Sequence, residues 1–207
     1  NNVEYRIFAH YSQAKVLLNA IRNGEDLHMI TASLAYNVPL RSVTKSQRQI
    51  AKNVGFGRLF GAGPAKIAQT ASAPDTDGTF TLVTEQEIAH FIEQLDGRVP
   101  EMASFMQNVE ALGRQRLERD GQAYVTTYGG RRVPGDPDRL YALLNYLVQG
   151  SSADILKDGI VRLANAGLDH HIVVPIHDEL LFDIPADEVD DVVPELENLM
   201  TDTSMSV

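Results

Sequence analysis

The chain contains no cysteine. A disulfide framework and any thiolate-held metal are therefore excluded, which agrees with a reducing compartment such as the cytoplasm. No apolar run approaches the roughly 20 residues that cross a bilayer, and nothing near the start reads as a secretory leader; the expectation is a partner set without membrane. Acid is missing locally. Between residues 27 and 74 there is no Asp or Glu, while Arg41, Lys45, Arg48, Lys52, Arg58 and Lys66 all fall inside. The chain as a whole carries a formal charge of -10, so its acids are concentrated elsewhere. A basic segment in an acidic chain is a directed electrostatic site, and the overall acidity argues against a protein that coats nucleic acid by charge alone.

At 207 residues with 43% hydrophobic content, there is enough chain for one sizeable core or two small ones. The sequence opens on Asn1-Asn2-Val3-Glu4 without a methionine and ends on Ser204-Met205-Ser206-Val207 without an obvious cap. It reads as a piece of something longer.

Within the acid-free segment, Arg48, Lys52, Phe56 and Phe60 recur every fourth residue. On a helix that spacing makes one slowly rotating stripe. Two cations one turn apart with no acid between them repel slightly, so the pair asks for an external anion, and the next turn supplies an aromatic ring for the anion's carrier to rest against. A triphosphate bearing a base fits. A solvated basic face with Phe56 and Phe60 in the core is the plainer reading of the same spacing.

Residues 3–38 read as short helices broken near Gln13 and Gly24, and Thr44 as the N-cap of the basic helix, which closes at Gly61. Pro64 suits the first turn of a further helix. Residues 71–78 form a loop, Thr84 and Glu87 a capping box, and residues 100–119 a long helix closed by Gly121. Residues 123–128 read as a strand with a turn at Gly129-Gly130. Asp136 and Pro137 open a long helix to about Ala166. Two strands, 170–174 and 180–184, meet at His177-Asp178-Glu179, and Asp187 starts a last helix. No internal repeat is present.

Three further groups carry possible chemistry. His177-Asp178-Glu179 places adjacent carboxylates at a hairpin tip, where strand alternation turns Asp178 away from His177 and Glu179; such carboxylates suit Mg²⁺, although charged hairpin tips are common without any metal. Asn145 and Gln149 lie one turn apart on an apolar helix, and as buried amides they need partners such as base edges or neighbouring backbone. Arg131 and Arg132 follow a strand turn and suit phosphate contact.

Together these groups resemble the family A DNA polymerases, the class of bacterial DNA polymerase I and its phage relatives. Arg48-x-x-x-Lys52-x-x-x-Phe56-x-x-x-Phe60-Gly61 is similar to that family's nucleotide-binding helix, and His177-Asp178-Glu179 to its metal-bearing palm hairpin. Asn145-x-x-x-Gln149-Gly150 resembles its primer–template helix. Glu4-Tyr5-Arg6 resembles the end of its first motif, and Gly24 to His28 the finger helix that follows.

The resemblance implies an α+β fold, a small antiparallel palm sheet with a mostly helical fingers subdomain. Residues 1–40 would start the fingers, 41–121 complete them, and 122–207 form the palm. It implies nucleotidyl transfer from dNTP to a primer 3′-hydroxyl, with Asp178 and Glu179 catalytic and Asp178 ligating one of two Mg²⁺ ions. Arg48, Lys52, Phe56, Phe60 and Glu4 would handle the nucleotide; Asn145, Gln149, His177 and Arg131 would contact primer–template DNA.

Three departures stand out. The family's first aspartate would fall just before Asn1, so the chain is expected to be inactive alone and to need an upstream polymerase segment carrying that aspartate and the thumb. Phe60 stands where tyrosine is usual. Gly55 and Gly57 each weaken the helix by roughly 1 kcal/mol, which suits a helix that swings on nucleotide binding. Two rivals remain open: a non-catalytic nucleotide- or DNA-binding fragment, and a Mg²⁺-dependent nuclease or phosphohydrolase using Asp178 and Glu179.

Overall fold

A computed structural model describes residues 3–72, 82–177 and 179–201. Most of the expected 71–78 loop, and Asp178, lie outside the described residues. The fold is α+β: helices predominate, with two small antiparallel hairpins.

Three short helices lead: α1 (Val3–Ser12), α2 (Lys15–Arg22) and α3 (Leu27–Tyr36). They break where expected, at Gln13 and Gly24, both of which take positive φ. Asp26 caps α3, accepting from the amides of His28 and Met29. After a 3₁₀ turn comes α4 (Lys45–Leu59), begun by a Thr44–Gln47 capping box. Next are α5 (Pro64–Ala71), with its proline in the first turn, and α6 (Glu85–Arg98), begun by the Thr84–Glu87 box. The long α7 (Pro100–Asp120) stops at Gly121, whose left-handed backbone ends the hydrogen-bond ladder.

β1 (Tyr124–Thr126) pairs with β2 (Arg132–Pro134) and rests on α7 and α8 (Ala142–Asn165). The sequence pattern starts α8 too early. Asp136 caps a separate 3₁₀ turn, Pro137–Arg139, and the i→i+3 bond from Leu143 to Leu140 keeps the chain tightly wound until Ala142. β3 (Ile172–Ile176) and β4 (Glu179–Phe182) form the second hairpin, with a bulge between Ile172 and Val174. Last comes α9 (Val189–Thr201), packed on α8 and beginning two residues after Asp187 because a Pro185–Glu188 turn precedes it.

The core runs along α1. Tyr5, Phe8, Leu17, Leu27, Ile67, Ile88, Leu95 and Leu143 are all almost fully buried. Burial of large side chains such as these, each contributing about 1.5–3 kcal/mol, joins α1 to α2, α7 and α8, while α3, α4, α5 and α6 pack among themselves.

Candidate nucleotide and nucleic-acid site

Helix α4 carries the predicted stripe. Lys52 is exposed, Phe56 half-buried and Phe60 46% exposed. Arg48 is not the free cation its sequence surroundings imply. Asp26, which caps α3, receives its Nε at 2.8 Å and its Nη2 at 2.7 Å. Burial pushes the Asp26 carboxyl up, but the Arg48 guanidinium and the amides of Met29 and His28 outweigh it and hold the group below the usual carboxylate range. The acid-free stretch in the sequence thus receives its carboxylate from just outside, one residue before Leu27. Lys52 has no ion pair among the described residues.

Phe56 packs against the core and meets the ring of His28 at 5.9 Å between centroids; the Tyr5 ring lies 5.6 Å from that of His28. Segments from α1, α3 and α4 therefore converge on His28, which sequence reasoning placed in a helix but gave no role. Its signal was its place two residues after the cap Asp26. Burial lowers the His28 pKa to about 4, with Arg48 and Lys52 adding to the effect and Asp26 opposing it, so the ring is neutral near pH 7. Glu4 stands half-buried in the first turn of α1, next to Tyr5, whose hydroxyl lies 3.1 Å from the Thr31 hydroxyl.

The two glycines of α4 have packing reasons. A Cβ on Gly55 would lie 3.2 Å from the Tyr5 ring, and one on Gly57 would lie 2.6 Å from Ile67 on α5. They let α4 approach its neighbours closely, whatever they do to its stiffness. Gly61 ends the stripe at φ +71°, a conformation that suits glycine, and Tyr141 lies so close that a Cβ would come within 2.2 Å of its ring.

α1 also ties this cluster to α8. The Tyr11 hydroxyl sits 3.2 Å from that of Ser151, which is itself buried and accepts the Tyr128 amide at 3.0 Å. Asn145 and Gln149 are on this helix but are not buried amides: Asn145 is half-buried, Gln149 is exposed, and the two face each other at 3.4 Å. Facing outward, they can offer donors and acceptors to a partner without a burial penalty. Arg131, in the β1–β2 turn, is ion-paired with Asp154 of α8 at 2.9 Å and bonds the Gly150 carbonyl at 3.1 Å, beside Gln149.

At the β3–β4 tip, Ile176 pairs directly with Glu179. His177 has φ +55°, so the strand alternation inferred from sequence stops at Ile176. Left-handed backbone fits a tight hairpin turn and is uncommon outside glycine, with Asn, Asp and His enriched. His177 and Glu179 are both exposed, and no hydrogen bond or ion pair joins them to the α4 stripe among the described residues. Nor, among those residues, does any group of three or more His, Asp or Glu side chains stand ready to hold a metal.

The chain as a whole has counterparts among known proteins. The family model of DNA polymerase family A matches residues 1–207, and the chain belongs to that family. It is 28% identical to a DNA polymerase of Mycobacterium phage D29 over 96% of its own length and 30% of that protein's. It is 30% identical to DNA polymerase I of Geobacillus stearothermophilus over 92% of its length and 22% of the relative's. Among solved structures it resembles the POL domain of Pol1 from M. smegmatis in complex with DNA primer-template and dNTP. There the TM-score is 0.75 at 29% identity, over 97% of this chain and 34% of that one. The chain thus spans about a third or less of each of these relatives.

Proposed function

We propose that this chain is the nucleotide- and primer–template-handling portion of a template-directed DNA polymerase. The observation that carries the proposal is the α4 face, where Lys52 is exposed, Arg48 is held at the surface by Asp26 and Phe56 is seated on His28. Arg48 and Lys52 would take the triphosphate, Phe56 would support the incoming sugar and base, and Glu4 would lie beneath the ribose. Phe60, lacking a hydroxyl, would leave sugar discrimination to shape. Asn145, Gln149, His177 and Arg131 would contact primer and template. In these roles residues 41–121 serve as fingers and 122–207 as palm. No helix among the described residues is long and apolar enough to cross a membrane, and a polymerase of this kind would work in the cytoplasm, that of the host if phage-encoded.

The reaction is attack of a primer 3′-hydroxyl on the α-phosphate of a dNTP. In this reading Asp178, supported by Glu179, would hold one of two Mg²⁺ ions, whose charge would stabilise the oxygens of the transferred phosphoryl group. The described carboxylates do not make such a centre by themselves; in this reading the described residues bind and orient nucleotide and primer–template, and Asp178 would supply the metal ligand. A second aspartate, together with a thumb, would come from an upstream polymerase segment. Activity of the chain alone should then be lower by several orders of magnitude, each tenfold being about 1.4 kcal/mol of barrier.

Templated primer extension tests this, comparing the chain alone with a form extended upstream by the Asp-containing segment and thumb. Extension by the longer form only, abolished by Asp178→Ala, supports the proposal. Robust extension by the chain alone would overturn its incompleteness. A second reading is a non-catalytic nucleotide- or DNA-binding fragment, since the described carboxylates form no metal-ligand group of three or more. It gains if the longer form binds dNTP but never extends a primer.

A further inference from the structure

The β1–β2 turn is fastened to α8 by side chains that the sequence places far from it. Ser151 accepts the Tyr128 amide at 3.0 Å, and Asp154 accepts the Gly129 amide at 3.1 Å through one carboxylate oxygen. The other oxygen of Asp154 receives Arg131 twice, from Nε at 3.2 Å and from Nη2 at 2.9 Å, while Nη2 also donates to the Gly150 carbonyl at 3.1 Å. The fit is close. A Cβ on Gly129 would lie 3.1 Å from the Asp154 carboxylate, and one on Gly150 would lie 2.5 Å from the Thr127 methyl.

Exposure is unequal across the ion pair. The Asp154 side chain is 11% exposed, whereas that of Arg131 is 47% exposed. The carboxylate is thus covered by the turn it holds, while the guanidinium extends beyond it. Nε and Nη2 are committed inward, and Nη1 has no hydrogen-bond partner among the described residues. The Gly150 carbonyl that Nη2 meets follows Gln149 directly on α8, so the clamp is anchored on the helix that carries Asn145 and Gln149.

We propose that Asp154 is a positioning residue for nucleic-acid contact: it holds the Arg131 guanidinium in one orientation against α8, so that the Nη1 edge meets a backbone phosphate without first being ordered. This rests on the reading that Arg131 contacts primer–template. The advantage of the clamp is entropic. A free arginine loses side-chain freedom when it grips a phosphate, and an arginine already clamped has little left to lose. Electrostatics alone points the other way, since a carboxylate beside the contact repels DNA. The two effects make opposite forecasts for Asp154→Ala.

The test is a titration of a fluorescent primer–template duplex by anisotropy, at several salt concentrations from low salt upward. The proteins are the wild-type chain, Arg131→Ala, Asp154→Ala, Asp154→Asn and the Arg131→Ala/Asp154→Ala double variant, with urea melts to confirm that each is folded. Arg131→Ala should weaken binding and reduce the log–log salt slope by about 1. Asp154→Ala should weaken binding roughly 3–10-fold with an unchanged slope, since the charge on Arg131 remains but is no longer oriented. Asp154→Asn keeps one oxygen acceptor for Arg131 but loses the acceptor for the Gly129 amide, so it should recover part of the loss. In the Arg131→Ala background, Asp154→Ala should change binding little.

Binding by Asp154→Ala equal to or tighter than wild type, with Arg131→Ala still weak, overturns the positioning role and leaves the Arg131 contact intact. An equal loss from Asp154→Ala in both backgrounds also overturns it, because the effect would then be structural. If Arg131→Ala binds like wild type, or the wild-type chain binds no duplex at low salt, the underlying reading of Arg131 fails and this proposal with it.

Discussion

Replacing Gly57 by alanine sets two principles against each other at a single atom. A helix-interior glycine costs about 1 kcal/mol relative to alanine, so if the glycines of α4 served only to soften the helix, Gly57→Ala would stabilise the protein by about that much. The structure predicts the reverse. The new Cβ would sit 2.6 Å from Cγ1 and 3.0 Å from Cδ1 of Ile67, a side chain only 1% exposed and without room to retreat. Overpacking of this kind costs about 1–3 kcal/mol, so the net effect should be a loss of about 1 kcal/mol. Gly97, in the last turn of α6, supplies the control. A Cβ there meets nothing within 4 Å, and alanine should add about 0.5 kcal/mol, the propensity gain being reduced near a helix end. Urea unfolding followed by circular dichroism at 222 nm should therefore separate the two variants by about 1.5 kcal/mol, or about 3–6 °C in Tm. Gly57→Ala as stable as Gly97→Ala would refute the packing argument and restore softness as the reason for the glycine.

Three other outcomes follow from the geometry. Asp26→Asn keeps a good N-cap on α3 but removes the charge partner of Arg48. Because both members of that pair are more than a third exposed, stability should change by less than about 1 kcal/mol. Affinity for a deoxynucleoside triphosphate, measured by calorimetry, should rise a few-fold, and a fall would mean that Asp26 orients Arg48 rather than competing for it. His28 has a pKa of about 4 in the folded chain, against about 6.5 for an unperturbed histidine. The unfolded chain therefore binds the extra proton first, and stability is lost as pH falls from about 6.5 to about 4, by on the order of 1 kcal/mol per pH unit. His28→Asn should make that acid-side slope shallower in denaturant melts, and an unchanged slope would refute the assignment. Arg58 grips Asp96 with two bonds, of 2.6 and 3.0 Å, and is 11% exposed. A double-mutant cycle to alanine should give a coupling of about 1–2 kcal/mol, whereas additivity would show the pair to be energetically idle.

Local signals in the sequence determined many helix boundaries, because caps act within a turn, but not the starts of α8 and α9. Thr44 with Gln47, Thr84 with Glu87, Pro64 and Gly121 each stand where the helices begin or end. The four-residue spacing of Arg48, Lys52, Phe56 and Phe60 likewise determined a shared stripe on α4, since helical periodicity is a property of the chain alone. The family, too, was legible from motif order, and the match over residues 1–207 bears it out. Tertiary structure decided which polar groups are already partnered. Asp26 reaches Arg48 across 22 positions, and Asp154 reaches Arg131 across 23; no window of local sequence contains either pair. It also decided that Asn145 and Gln149 face outward, that His177 leaves the strand geometry, and that Gly55 and Gly57 make room for Tyr5 and Ile67. Each of these depends on how closely one element approaches another, a distance set by the packing of the whole core and by no residue's own preference.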